Sequence, residues 1–376
     1  MFLCLFLKLI FIFLIIYLII DVIGGEKLMV GLALEGGGAK GAYQVGAYMA
    51  LKKNHIKIDA IAGTSIGSLN GAMIAAGDET KLLSLWQDAS MNEILGIDDE
   101  KAMEILKGHI NIDNIKWTFK ELYKIFKNKG LDMSNYRALV RNNVDEERLR
   151  KSKIHYGLTT VKADTLEPLE IYLEDIPKGK LHDYIVASSY LPVFKREKLV
   201  DNSYYLDGGF YNLCPTDMLE NMGCDKIYTI NIKGVGIRKK NKNQKAEIIE
   251  IKPKGNLGSI LVFDKKSNEA NIYYGYHDTL KVLNKLDGEK YYFEKKRDNY
   301  YKRLNHRVDE KTYHTVSTLL NTKNKKDTVI KALEYVLEKE KMNDLKCYKI
   351  NRQIKEIKKI KSDNIIYRYV RMLRAW

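Results

Sequence analysis

Ser65 stands in the string Gly63-Thr64-Ser65-Ile66-Gly67, between an apolar run, Ile58 to Ala62, that reads as a buried strand and a helical stretch from Ile66 to Ala76. That pattern is a nucleophile elbow: a sharp turn holds the hydroxyl out at the strand's carboxyl end, and the flanking glycines carry no side chains to obstruct it. A serine hydroxyl is a weak nucleophile at neutral pH and needs a base. It also needs donors for the oxyanion that forms when it attacks a carbonyl. A second glycine loop can supply the donors: Gly36-Gly37-Gly38-Ala39-Lys40-Gly41 follows the strand-like Met29 to Leu34 and precedes a helical pattern from Ala39 to Lys52. The N–H groups of Gly36, Gly37 and Gly38, joined by that of Ile66, form the candidate oxyanion hole, in which each fixed donor can contribute about 3 kcal/mol to the transition state. The helix N-termini behind both loops add positive potential there. Asp207, in Asp207-Gly208-Gly209 at the end of the strand-like Tyr204-Tyr205-Leu206, offers the base.

The order and composition of these motifs resemble the patatin-like phospholipase family. There a GGGxxG loop, a GxSxG elbow and a DG[GA] motif build a Ser-Asp dyad without histidine. The likeness runs from about Val30 to Asp217, takes in Ala187-Ser188-Ser189-Tyr190-Leu191-Pro192-Val193-Phe194, and extends toward Gly275-Tyr276. The resemblance implies a three-layer α/β/α fold with a mostly parallel central sheet. It also implies a serine lipid acyl hydrolase of phospholipase A or esterase type, with Ser65 as nucleophile and Asp207 as base, acting through an acyl-enzyme without a cofactor. Lys40, Gly41, Gly63, Gly67, Gly208 and Gly209 are the accompanying motif positions. The implied substrate is a phospholipid or another lipid ester.

Other readings compete for the same residues. Gly36, Gly38 and Gly41 satisfy GxGxxG, and Asp59 lies near the spacing of a ribose-binding acid, so a nucleotide-binding α/β module is the alternative. Against it, Asp59 precedes Ala60-Ile61-Ala62, whereas the ribose acid belongs at the far end of that strand. A P-loop fails because Lys40 is followed by Gly41 and not by Ser or Thr. The Lys40 side chain reads as solvated, and Asn70 as a helix-packing or capping residue. His277 follows Asp207 in the chain order of a Ser-Asp-His triad, but its setting, Tyr273 to Asp278, reads as an aromatic helix with a structural histidine. His55, His109, His155, His182, His306 and His314 show no metal-ligand spacing, and Asp98-Asp99-Glu100 reads as a solvated loop, so no metal is expected. A non-enzymatic reading makes the chain a basic membrane-peripheral scaffold with vestigial motifs.

The 376 residues divide into an apolar segment 1–28, a catalytic unit 29–286 and a basic helical region 287–376 in which Thr328 to Lys341 is the clearest helix. Within the catalytic unit, Thr80 to Asn143 reads as an insertion with amphipathic segments (Ile115–Lys120, Leu122–Phe126) that form a lid or an ordinary helical layer. Gly234 to Gly258 reads as a long loop. Formal net charge is +15, with much of the excess beyond residue 230. An anionic membrane surface is the expected partner and nucleic acid is not, since no nucleic-acid motif accompanies the charge. Lysine bias from an AT-rich genome is the alternative cause. The run Phe2 to Ile20, broken only by Lys8, reads as an anchor or signal. A third account is translated upstream DNA, because Gly25-Glu26 can be encoded by a ribosome-binding sequence just ahead of Met29. The expected location is cytoplasmic or peripheral to a membrane, with anchoring through residues 2–20 as the alternative. Cys4, Cys214, Cys224 and Cys347 form no framework, which argues against a disulfide-built secreted domain.

Overall fold

The computed structural model describes residues 28–96, 130–240 and 245–376. Among the described residues seven strands build the main sheet: β1 (Val30–Leu34), β2 (Ala60–Thr64), β3 (His155–Lys162), β4 (Glu167–Tyr172), β5 (Tyr205–Asp207), β6 (Lys226–Ile230) and β7 (Glu247–Ile251). They lie in the order β4-β3-β2-β1-β6-β7, with β5 paired to β3 off that path. The pairs β1–β2, β1–β6, β2–β3 and β6–β7 are parallel, and only β4 and β5 run against β3. From β1 the chain steps one way to β2 and β3, then returns on the other flank as β6 and β7. The crevice between the carboxyl ends of β1 and β6 is therefore the switch point at which sheets of this kind bind ligands.

Residue alternation decides what covers each face. Leu32, Leu34, Ile61, Tyr228 and Ile230 point into the larger core, with helices α1 (Ala42–Lys53), α2 (Ile66–Ala75), α3 (Glu79–Asp88) and α4 (Ser134–Asn143). On the opposite face Ala33, Ala60 and Ala62 leave little depth. After helix α5 (Leu181–Ser188), the short α6 (Thr216–Asn221) fills it with Met218 and Leu219. Helix α7 (Lys265–Val282) lies along α1. The result is the expected three-layer α/β/α arrangement.

A second cluster of buried residues runs from Tyr291 to Leu373, around α8 (Lys325–Lys339). Asn324 caps α8, accepting a hydrogen bond from the Asp327 N–H at 2.9 Å. The cluster is joined to the sheet domain through Asp278 on α7, whose carboxylate accepts from the Tyr43 hydroxyl (3.0 Å) and the Tyr292 hydroxyl (2.9 Å).

Two regions depart from the sequence reading. Glu247–Ile251, inside the expected loop 234–258, is the parallel edge strand β7. Its Glu-Ile-Ile-Glu-Ile sequence leaves four of the five residues less than fully buried, so it carries no apolar run to mark it. The basic carboxyl-terminal region is not purely helical: β8 (Leu286–Asp287), β9 (Tyr292–Glu294) and β10 (Cys347–Tyr348) form a small sheet of strands too short to show a period. The apolar run 2–20, the segments 115–126, Asp98–Glu100, His109 and Cys4 lie outside the described residues. Among the described residues no helix is long and apolar enough to cross a membrane.

Candidate active site

β1 and β2 are parallel neighbours, so the loops that follow them open on the same edge of the sheet. In the first loop, Gly36 donates its N–H to the Leu213 carbonyl (3.0 Å) and Ala39 donates to the Ile260 carbonyl (2.9 Å). Gly36 therefore contributes space beside Ser65, not a free donor. Between these anchors Gly37 and Gly38 line a cavity with Ser65, Ile66 and Asp207, and among the described residues neither glycine N–H has a backbone acceptor.

Lys40 differs from expectation. It is buried, and its Nζ donates to the Lys233 carbonyl at 2.8 Å. Burial, opposed by the nearby Glu35, holds its pKa below the usual lysine range. The first helical turn lies against the loop after β6, so the side chain bridges to that loop instead of reaching water. Asn70 has the packing role expected of it. It donates to the Gly41 carbonyl (3.1 Å) and to Gln44 Oε1 (2.8 Å), and its own Oδ1 accepts from the Trp86 indole N–H (2.8 Å).

Ser65 has φ 55° and ψ −126°, a conformation rarely adopted by a side-chain-bearing residue. Neighbouring contacts hold it there. The Ser65 N–H donates to Ser188 Oγ at 2.9 Å. A Cβ on Gly67 would come within 2.3 Å of the Leu34 carbonyl, so only glycine lets helix α2 start this close to β1. The Thr64 hydroxyl donates to the Asn212 carbonyl (2.7 Å), tying the elbow to the turn that follows Asp207.

Asp207 closes β5, opposite Thr160 of β3. Its N–H donates to the Tyr190 carbonyl (2.8 Å), and its Oδ1 accepts the Gly209 N–H (2.7 Å). The Ser65 side chain is near enough to influence the same carboxyl group, and the two residues line one cavity. Only 4% of Asp207 is exposed. Burial pushes its pKa up to about 6, against the opposing pull of the nearby Ser65 side chain and the Gly209 N–H.

The open space over these groups is about 660 Å³, counting the solvent at its mouth. Its walls are mainly apolar, with Met133, Leu191, Phe194, Leu213 and Phe263 among them. Among the described residues the polar side chains besides Ser65 and Asp207 are Tyr136 and Ser189, whose hydroxyls are 2.8 Å apart. His277 does not line this cavity. Its Nδ1 is bonded to the Tyr273 carbonyl (2.9 Å) and its ring stacks on Tyr273 at 3.8 Å. Asp59 lies at the opposite edge of the sheet, where its Oδ2 accepts the Val30 N–H (3.2 Å) at the start of β1.

The patatin-like phospholipase family model matches residues 32–220, half of the chain and the whole of the stretch that carries the three motifs. The chain belongs to the patatin-like phospholipase family. It is 25% identical over 210 residues to patatin-like phospholipase domain-containing protein 6 of Mus musculus, covering 54% of this chain and 13% of that protein. It is 24% identical over 213 residues to patatin-like phospholipase domain-containing protein ZK370.4 of Caenorhabditis elegans, covering 55% and 14%. Over a shorter stretch of 46 residues it is 59% identical to lysophospholipase nte1 of Aspergillus terreus, covering 12% and 3%. The chain thus matches only a small part of the length of these relatives. Among solved structures, VipD from Legionella pneumophila aligns with a TM-score of 0.39 and 14% identity, covering 92% of this chain and 83% of that one.

Three residues of this patatin-like site escaped sequence reading: Glu35, Ser188 and Tyr136. Glu35 had a signal, an acid directly between a buried strand and the glycine loop. Ser188 lay inside the quoted 187–194 segment, but nothing in the string said that its hydroxyl would hold the elbow N–H. Tyr136 comes from a helix far from the motifs, and only the fold brings it there.

Proposed function

We propose that this patatin-like protein is a serine lipid acyl hydrolase of phospholipase A or esterase type. The observation that carries the reading is the placement of Ser65 and the buried Asp207 carboxyl together in one mainly apolar cavity edged by Gly37 and Gly38. Asp207 takes the hydroxyl proton as Ser65 Oγ bonds to the ester carbonyl carbon. The carbonyl oxygen gains the negative charge and faces the N–H groups of Gly37, Gly38 and Ile66. Collapse of the tetrahedral intermediate breaks the ester C–O bond, and the proton on Asp207 goes to the departing alkoxide. Water then attacks the acyl-enzyme, giving its proton to Asp207, and the fatty acid leaves as Ser65 recovers its hydrogen. A carboxyl with a pKa near 6 is mostly ionised at neutral pH and a stronger base than an ordinary aspartate. The apolar walls suit an acyl chain, and the membrane-facing partner would be an anionic lipid surface.

The test is labelling with a fluorophosphonate probe followed by peptide mapping. Ser65 is expected to be the labelled serine, and Ser65→Ala to abolish both labelling and ester hydrolysis. Asp207→Asn should lose activity by about 10²- to 10⁴-fold, the usual contribution of a general base. His277→Ala should keep most of it. Turnover persisting in folded Ser65→Ala would overturn the reading, and collapse of His277→Ala would move the base function to a triad.

A further inference from the structure

Glu35 is fully buried at the switch point between β1 and β6, directly before Gly36. Its Oε2 accepts the N–H groups of Ile232 and, at 3.4 Å, Gly234, while its Oε1 pairs with the Arg238 guanidinium. All of these partners belong to one segment, 232–238, which leaves the end of β6. The same segment is bonded to the other half of the site. Ile237 donates its N–H to the Gly209 carbonyl (2.8 Å), Leu213 donates to the Ile237 carbonyl (2.7 Å), and Val235 lines the cavity. The strap thus spans from the glycine loop to the turn after Asp207. Its fit against the glycine loop is close: a Cβ on Gly234 would lie 1.8 Å from the Gly36 carbonyl. Lys40 adds a second fastening through the Lys233 carbonyl.

We infer that Glu35 is a positioning residue for the oxyanion loop, clamping segment 232–238 against Gly36–Gly38 so that the Gly37 and Gly38 N–H groups keep their aim relative to Ser65 and Asp207. A buried carboxylate with this many partners is costly to form and to break, which suits a fixed geometry more than bulk stability. The other end of the clamp is accessible, since the Arg238 side chain is about half exposed while Glu35 is sealed. Among the described residues, the charged and titratable groups facing Glu35 are Arg238, Lys40 and the half-buried Cys214 thiol. Burial raises the Glu35 pKa, and Arg238 is the largest influence holding it down.

This inference builds on the hydrolase reading. Its test uses the full chain and two variants. Glu35→Gln keeps an acceptor for the backbone N–H groups but loses the ion pair. It is expected to lower kcat on a soluble ester by about 10- to 100-fold, part of the effect of losing an oxyanion donor, with KM within about twofold. Arg238→Met leaves the carboxyl without its main cation, so that group protonates at a higher pH than in the unaltered chain. Its rate should fall away at a pH above the limb near 6 that Asp207 sets in the unaltered chain, and recover toward alkaline pH, whereas Glu35→Gln should show no such recovery. Amide hydrogen exchange at Gly36 and Ala39, whose N–H groups are bonded to the Leu213 and Ile260 carbonyls on either side of the oxyanion glycines, gives a readout that needs no turnover, and it should quicken in both variants. Unchanged kcat and unchanged exchange in folded Glu35→Gln would overturn the clamp. Failure of the unaltered chain to label with fluorophosphonate would overturn the hydrolase reading instead, while exchange still judged the clamp.

Discussion

Ser65 combines a reactive hydroxyl with a strained backbone, and substitution can separate the two. Both Ser65→Ala and Ser65→Gly remove the hydroxyl, but only glycine takes φ 55° without steric cost. Ser65→Gly should therefore be more stable than Ser65→Ala by about 1 kcal/mol, the lower end of the cost of such strain, measured by denaturant unfolding with both variants inactive. Asp207 makes a sharper division between function and stability. Its pKa is higher in the folded chain (about 6) than the ordinary 3.8, so between those values the folded state binds more protons than the unfolded one. Its contribution to stability is best at acid pH and declines as pH rises through that window, by on the order of 3 kcal/mol in total. Activity should move oppositely, rising through pH 6 as the base ionises. Asp207→Asn should thus be inactive yet melt higher than the unaltered chain at pH 8, with the difference shrinking at pH 4. A variant that melts lower at both pH values would contradict the account of Asp207 as a buried charge strained for catalysis.

At the scale of elements, the two faces of the sheet respond differently to size. Ala62 of β2 faces the shallow layer filled by Met218 and Leu219, whereas Leu32 of β1 faces the deep core. Ala62→Leu should cost about 1–3 kcal/mol by overpacking, and Leu32→Ala about 2–5 kcal/mol by leaving a cavity, both read by denaturant unfolding. An Ala62→Leu chain as stable as the original would mean the small residues of β2 do not set the depth of that layer. The elements beside the catalytic motifs were legible in the sequence because apolar runs and glycine turns mark them directly, so β1, β2, α1 and α2 lie within a few residues of where their patterns put them. Ser65 and Asp207 were legible as nucleophile and base from their motifs; that both line one cavity depends on β5 pairing antiparallel with β3, a long-range contact with no local signature. The edge strand β7 and the strands of the small sheet are short or charged, and a period of two cannot be recognised in two or three residues. Lys40 was misread because burial there depends on the loop after β6, nearly two hundred residues away.

At the scale of the molecule, charge is distributed unevenly. The net +15 comes entirely from residues after 230, which include the second buried cluster from Tyr291 to Leu373. Each Lys or Arg near an anionic bilayer can add about 1 kcal/mol of attraction, and the attraction is screened over about 10 Å at 0.1 M ionic strength. If this region steers the site toward lipid, binding to vesicles should rise with their content of acidic lipid and weaken as salt is added. Lys355→Glu with Lys361→Glu, both exposed and outside the lining of the cavity over Ser65, should reduce vesicle binding while leaving turnover of a soluble ester unchanged. Turnover of lipid presented in anionic vesicles should then fall in step with binding. Binding that ignored acidic lipid, salt and charge reversal alike would leave the lysines as a compositional trait and not a membrane-targeting surface, with the hydrolase reading of Ser65 and Asp207 unaffected, because the two rest on different residues.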